Sequence, residues 1–445
     1  MNSLWLSDNS DCIDFEKLSS DKSTDVCIIG AGIFGMSCGY YLSKAGLKVT
    51  ILEKDGIGNK TTGHTTAKIT SQHGLFYTYL VDSFGEGFAK DYLSANQNAI
   101  QNIKKIIDDE KINCDFERQS SFVYTNVPEE VPLLKKEASV LNSLGFPANF
   151  VTKTGLPFDV LGAVQFENQA QFNPIKYLNG LANCIVKNDG EIYTNTTVFD
   201  VKHEDDFFYV STPDGVVKSK FVVLASHYPF INFPGIYFFK MYQSSSYVIG
   251  IDPKKSLFNG MYISASSPVF SFRSADYNGK RILLIGGSGH KTGDCVSYED
   301  SYGVLEDYAK KLYPDCDVLF RWDTRDCISL DKVPYIGRFS NVMDNIFVGT
   351  GFNKWGMTSS NVAANIVCDL ILGRQNDFAY LFDSTRVHPI KNRVEVKNMI
   401  SESVNSIAIK KIKGVDVDFS DIPINSGGVV DVDGKKVGVY RDSSR

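Results

Sequence analysis

An α/β fold is what this chain predicts: a discontinuous nucleotide-type domain, a mixed β-sheet domain inserted into it, and a short C-terminal β appendage. Three observations carry that expectation. Val26 to Ile29 is a continuous apolar run ending in Gly30-Ala31-Gly32-Ile33-Phe34-Gly35, and a helical segment follows. A second strand, Lys48 to Leu52, closes on Glu53, 23 residues beyond Gly30. Nucleotide-type elements then recur near residues 175–226 and 345–372, with strand-rich segments between them.

Each part of the first motif has a mechanical role. Gly30 permits a tight turn, Gly32 lets the backbone approach a pyrophosphate, and Gly35 brings helix close to strand. The phosphates would rest on the positive end of a helix opening at Ile33 and Phe34. Glu53, with Lys54 after it, is placed to accept hydrogen bonds from ribose hydroxyls, and its charge repels a 2′-phosphate. A bare G-x-G-x-x-G is weak evidence and could be a purely structural turn. Flanked by strand, helix and an acid at this distance, it predicts an adenine dinucleotide.

A chain of 445 residues is too long for one core, so two domains and an appendage are expected. Hydrophobic content of 43% and 22% charged residues describe an ordinary soluble globular protein. A net charge of −6 argues against nucleic acid or an anionic membrane surface as the main partner. No apolar run reaches membrane-spanning length, and residues 1–23 are polar and acidic, unlike a signal peptide; a cytoplasmic location is expected. The 9 cysteines lack C-x-x-C pairs and the 6 histidines are dispersed, so reduced thiols and no metal site are expected. Cys27 and Cys38 fall in the first strand and helix, as small core residues.

Along the chain, a Thr-rich loop from Lys60 to Thr70 follows the first βαβ unit. Helical spacing runs from about Phe84 to Glu110, a strand covers Ser121 to Tyr124, and a charged helix runs from Glu129 to Leu144. Pro174 to Lys187 is helical and leads into strands around Ile192 to Val201 and Phe207 to Thr212. Phe221 to Ser226 is a buried strand ending in the small residues Ala225 and Ser226. Strands dominate from Gln243 to Gly287, a helix follows at Ser301 to Leu312, and Asn345 to Gly351 enters a glycine turn before a helix over Thr358 to Leu372. The expected dinucleotide domain comprises residues 22–83, 175–230 and 320–385, the substrate domain 84–174 and 231–319, and the appendage 386–445.

The strand–turn–helix at 346–372 selects FAD over NAD. A helix opening at Met357-Thr358-Ser359 presents unpaired N–H groups and a positive dipole end. Reducing a flavin puts negative charge near its N1–C2=O edge, which such an end stabilises. NAD has no comparable requirement.

Together, Gly30 to Gly35 with Glu53, the strand ending Leu224-Ala225-Ser226, the segment Asp331 to Gly337, and Gly349-Thr350-Gly351-Phe352-Asn353-Lys354-Trp355-Gly356-Met357-Thr358 resemble the FAD-dependent D-amino-acid oxidase, glycine oxidase and sarcosine oxidase superfamily over residues 22–385. The loop Thr62 to Lys68 and the turn Lys354 to Met357 resemble a bacterial branch with a C-terminal Rieske iron–sulfur domain. The resemblance implies a Rossmann-like FAD-binding domain and oxidation of a C–N bond in an amine or amino acid, with hydride passing to flavin N5. It implies that Thr61, Thr62, His64, Thr66, Ala67 and Lys68 run beside the flavin ring, that Val198 offers its backbone to the adenine, and that Gly351 to Thr358 line the pyrimidine edge.

Such chemistry needs orienting groups more than a nucleophile. Arg273, on a strand of the substrate domain, presents a fork suited to a substrate carboxylate, or is a surface strand arginine. His290 resembles the substrate-side histidine of sarcosine oxidases, or caps its strand. Lys68 matches a flavin-face arginine of sarcosine oxidases. The family's oxygen-activating lysine aligns with an apolar or glycine position near Ile285, which argues against fast oxidase activity; electrons leaving the flavin would go to oxygen, a quinone or a separate carrier protein. Ordinary packing is the expectation for Trp322. The loop around His64 is similar to one in dimethylglycine and sarcosine dehydrogenases that carries a covalent flavin–histidine bond. Here Gly63 replaces the preceding aromatic residue, and a neutral histidine beside the ring is the favoured expectation. Two other functions stay open: an NAD(P)H-linked flavoprotein reductase, which lacks a second G-x-G-x-x-G here, and a flavin-binding protein with little catalysis.

Residues Gly427 to Asp442 read as a hairpin with an Asp-Gly turn, resembling the first strands of a Rieske domain. A Rieske cluster takes two cysteines and two histidines. The last cysteine is Cys368 and the last histidine His388, so the segment is expected to stop short of its ligands.

Overall fold

The computed structural model describes residues 3–7, 13–294, 296–386, 426–432 and 435–442. Two compact units emerge, residues 1–388 and 389–445. Within the described part of the first, an eight-stranded sheet and a nine-stranded sheet hold the strands.

The eight-stranded sheet grows from the first strand, Lys22–Ile29. Its last four residues, Val26 to Ile29, are buried, and alternate side chains enter different cores. Val26 and Ile28 join the larger cluster with helix Ile33–Lys44, while Cys27 and Ile29 join a second cluster with Phe208, Val210 and Tyr237. A strand covered on both faces is apolar at every position, which explains the uninterrupted run. Lys22–Ile29 pairs in parallel with Gly215–Leu224 on one side and Val49–Leu52 on the other. Beyond these lie Glu191–Tyr193 and Met343–Thr350, also parallel, and Tyr335–Ser340 forms an antiparallel edge. The strands thus come from three separated stretches of chain.

The second sheet is mostly antiparallel and runs, in spatial order, through Asp317–Ser329, Met241–Asp252, Lys280–Lys291, Ser271–Tyr277, Met261–Ser264, Glu117–Thr125, Gly162–Gln171 and Lys68–Ile69. Helix Tyr298–Leu312 covers one of its faces. Strand Asp317–Ser329 pairs along its length with Met241–Asp252, so the boundary expected at residue 320 falls inside one continuous strand of this sheet. The helix expected from about Phe84 to Glu110 is Glu86–Asp109, and a further helix, Tyr77–Phe84, precedes it, the two being separated by Gly85 with φ of 93°.

In the second unit, Ser426–Val432 and Lys435–Arg441 pair as an antiparallel hairpin. The expected Asp433-Gly434 turn lies outside the described residues.

Candidate active site

The glycine turn sits where three parallel strands end together. Gly30 has φ of 114°, and a Cβ there would lie 2.5 Å from the carbonyl oxygen of Ala225, at the tip of the neighbouring strand. A Cβ on Gly35 would lie 1.9 Å from the carbonyl oxygen of Gly30, so only glycine lets the helix start this close. The amide of Ala225 donates to Ile29 O at 2.9 Å, and Ser226 Oγ donates to Tyr228 O at 3.1 Å, fixing the tip. This is the crevice at the carboxyl ends of the strands, where parallel sheets hold nucleotides.

Glu53 is buried beside this turn. Its Oε2 accepts from the Ala31 amide at 2.8 Å and its Oε1 from the Asp55 amide at 3.0 Å. Each oxygen retains a lone pair for a ribose hydroxyl. The Thr196 amide donates to Glu53 O at 2.8 Å, which brings the segment leading to Val198 alongside the acid, with Val198 itself packed on the second core. Lys54, next in sequence, is exposed.

A short 3-10 helix, Thr61–His64, follows. Thr62 Oγ1 accepts from the Ile33 amide at 3.1 Å, joining this loop to the start of the nucleotide helix. His64 Nδ1 lies 2.8 Å from Lys60 O. Ala67 is buried with φ of 50°, a conformation costly for a residue with a Cβ.

From the far side, the Asn345–Gly351 region delivers the last part. Asn353 and Lys354 both have positive φ, 52° and 71°. The Asn353 side chain is tied to Ser329 in two ways, accepting from its amide at 2.9 Å and donating to its Oγ at 3.0 Å. Lys354 then reaches over the second sheet to donate to Ser246 Oγ at 2.7 Å. Phe352 packs edge-on against Phe34 of the glycine turn, ring centres 6.1 Å apart. Trp355 stacks on His73 at 5.0 Å and precedes helix Gly356–Ile371, which has no side-chain N-cap. The first amides of that helix, at Gly356, Met357 and Thr358, are therefore left for another acceptor. Thr358 Oγ1 donates to Thr70 O at 3.1 Å, locking the helix start to the strand that follows the Thr-rich loop.

Charged groups surround this space. Lys68 is enclosed by protein; burial foremost, then the nearby Arg273, pulls its ammonium down to about 7. It lies 3.5 Å from Thr66 Oγ1, and no carboxylate among the described residues is within ion-pair distance of it. Burial also lowers Lys354, an effect opposed by Asp326, and burial raises the Asp326 carboxyl against the pull of His227 and Lys354. Lys354 is exposed and Asp326 half-buried, as expected on the wall of a cleft.

Two expectations require correction. Arg273 is buried, and its guanidinium is committed to main-chain carbonyls: Nε to Ser274 O at 3.0 Å, and Nη1 to Thr66 O, Ala67 O and Phe172 O at 3.0, 2.9 and 3.2 Å. It braces the Thr-rich loop, and neither a free carboxylate fork nor a surface position describes it. His290 lies on the opposite face of its sheet from Lys354. Its Nε2 is 3.0 Å from Tyr247 Oη, its ring stacks on Tyr247, and Tyr247 packs edge-on against Tyr298 and Tyr302 of the covering helix. Strand alternation explains this, because a Cβ on the preceding Gly289 would lie 3.3 Å from Lys354 Nζ. Trp322 is buried in the larger core.

Several residues beside the site carried no obvious signal. His73 is buried, its Nδ1 2.8 Å from Tyr92 Oη and its Nε2 3.2 Å from Thr358 Oγ1. His227, with φ of 66°, sits at the strand tip with Nε2 2.9 Å from Arg325 O. Trp5 is buried against the Thr-rich loop, although residues 1–23 read as polar and acidic; the apolar Leu4-Trp5-Leu6 run was the available sign. Among the described residues, no three His, Cys, Asp or Glu converge as a metal set, and no helix is long and apolar enough to cross a membrane.

A glycine turn at the carboxyl ends of parallel strands, a buried acid beside it and a helix start without a side-chain cap are the parts expected of a dinucleotide-dependent redox protein. Residues 25–370 match the model of the FAD dependent oxidoreductase family, DAO, and the chain belongs to that family. Its cofactor is FAD, for which the cradle, Glu53 and the helix start at Gly356 provide fitting partners. The chain is 35% identical over 436 residues to Bacillus subtilis (strain 168) YhfW, named as a Rieske 2Fe-2S iron-sulfur protein, covering 98% of this chain and 86% of that one. It is 21% identical to gamma-glutamylputrescine oxidoreductase of Escherichia coli (strain K12), over 82% of this chain and 87% of the relative. Among solved structures, glycine oxidase from Geobacillus kaustophilus superposes with a TM-score of 0.70 at 20% identity, covering 82% of this chain and all of the other. L-proline dehydrogenase from P. horikoshii gives 0.68 at 20% identity, over 82% and 98% of the two chains. These structures establish the shared fold.

Proposed function

We propose that this FAD-dependent oxidoreductase oxidises the C–N bond of an amine or amino acid. The observation that carries the reading is Lys68, a half-buried lysine in the loop that joins the dinucleotide cradle, with no carboxylate among the described residues within ion-pair distance. A charge drawn from water without a counter-ion is unfavourable, so the site favours a negative group arriving there. A substrate carboxylate and the reduced flavin are the two anions such a reaction supplies. Bound FAD supplies the two-electron acceptor, at N5. The protein's part is to orient: Lys354 and Ser246 form one wall, the Thr-rich loop braced by Arg273 another, and the helix start at Gly356 faces the developing charge. The names of the glycine, proline and glutamylputrescine relatives support this substrate class.

The acceptor that takes electrons from the flavin is proposed to be a quinone or separate carrier protein before oxygen. Gly286 is the residue of its strand that faces Thr66, and Ile285 turns into the core under the covering helix, so neither of these two positions brings a cation to the site.

Anaerobic mixing of the holoenzyme with a panel of amines, amino acids and NAD(P)H tests the function. Flavin bleaching by an amine or amino acid is expected. Bleaching by NAD(P)H alone would replace the proposal with a reductase, and none by any compound would leave a flavin-binding protein with little catalysis.

A further inference from the structure

The loop from Gly63 to Ala67 shows four main-chain carbonyls, at Gly63, Thr65, Thr66 and Ala67, that are met by donors remote in sequence. Ser3 Oγ donates to Gly63 O, and Trp5 Nε1 donates to Thr65 O at 2.7 Å. Arg273 Nη1 meets the other two. The donors also hold one another: the Arg273 guanidinium lies 5.1 Å above the Trp5 ring, and both side chains are almost fully buried, at 2% exposure for Trp5 and 3% for Arg273. Leu6 fills the space over Gly63, where a Cβ would stand 3.1 Å from Leu6 Cδ2 and 2.6 Å from Gly58 O. The helix Leu4–Ser7 that carries these residues is a single turn, pinned at its start by the Ser7 and Leu6 amides donating to Ser3 O at 3.1 and 3.2 Å. So short a helix has little stability of its own, and packing holds it in place.

We propose that residues 3–7 are a clamp on the Thr-rich loop and that Trp5 is a positioning residue for the flavin. It acts through the Thr65 carbonyl and through Arg273. This inference rests on the placement of that loop beside the flavin ring. The clamp accounts for Ala67, whose left-handed backbone persists only where its surroundings over-determine it. At position 63 the volume a larger side chain would occupy is taken by Gly58 O and by Leu6 together. Loss of the indole would leave Thr65 O without its donor, uncover one face of Arg273 and admit water to the loop.

The test uses full-length holoenzyme carrying Trp5→Ala or Trp5→Phe, with Glu53→Ala and Thr62→Val as references. FAD dissociation constants are read by flavin fluorescence, and the midpoint potential of the bound flavin by titration against a redox dye. Trp5→Ala is expected to raise the dissociation constant about tenfold or more and to shift the potential, and Trp5→Phe, which keeps a ring but deletes the N–H, to raise it about threefold. If Trp5→Ala fails to fold, Trp5→Phe decides alone. Wild-type affinity and potential in the Trp5 variants, with Thr62→Val altered, would overturn the clamp. Wild-type values in both the Trp5 variants and Thr62→Val, with Glu53→Ala releasing FAD, would overturn the loop's placement beside the flavin and the clamp with it.

Discussion

Glu53 is held from two sides by main-chain amides, so its carboxylate is already oriented for the ribose proposed to bind there. Replacing it with alanine removes charge-assisted bonds of about 1.5–3 kcal/mol each and strands the Ala31 amide. FAD retention after gel filtration should fall by at least about tenfold, with mass spectrometry of the released cofactor confirming FAD. Lys68 makes a pH-dependent prediction. Its folded value near 7 lies below the ordinary 10.5, so the unfolded chain binds more protons between those limits. The cost is complete below pH 7 and fades as pH rises toward 10. Lys68→Met should therefore stabilise flavin-free protein by about 1 kcal/mol or more at pH 6.5, and by little at pH 10, in urea titrations. His73 behaves in the same sense at lower pH. Burial pushes it down to about 3 from 6.5, so stability is lost as pH falls below 6.5, and His73→Gln should flatten that loss. The cradle residues were legible because glycine spacing and an acid at fixed distance encode a local mechanism. Arg273 was not: a strand arginine looks the same in sequence whether it faces a ligand or the carbonyls of a loop two hundred residues earlier.

Among elements, the segment Asp331 to Gly337 owes its position to Arg386. The two side chains are 5% and 7% exposed, the guanidinium meets both Asp331 carboxylate oxygens at 2.8 and 2.9 Å, and it donates further to Val333 O, Pro334 O and Phe382 O. Removing one partner of so enclosed a pair leaves a buried charge. Asp331→Asn should cost about 3 kcal/mol in denaturant unfolding, with the flavin absorbance lost early in the transition. Parallel strands and long helices followed from sequence because both have strong periodic signals. The extent of Asp317–Ser329 did not, since an antiparallel strand mixing charged and apolar residues leaves its register to its neighbours. His290 shows the same limit: one irregular step in a strand decides which face a side chain joins.

At the scale of the whole molecule, the sequence after His388 offers no cysteine or histidine, although the hairpin Ser426–Val432 with Lys435–Arg441 matches the expected strands. Cys368 is buried in its helix with Sγ 3.8 Å from Cys38 O, and is no candidate ligand.

The sheet that holds the cradle also sets an order of events during synthesis. Leu224 pairs with Ile29 and with Val348, partners separated along the chain by most of its length. Contacts of such separation form late, because the intervening chain must first be made and closed. A ribosome that has released the glycine turn has still to deliver the strand tip at Ala225, and then the helix start at Gly356, before the two ends of FAD have a place to rest. Cofactor capture thus waits until the chain as far as the helix start at Gly356 has been made. Cells short of riboflavin should accumulate chains that are complete in length but open at this seam, and vulnerable there to proteases.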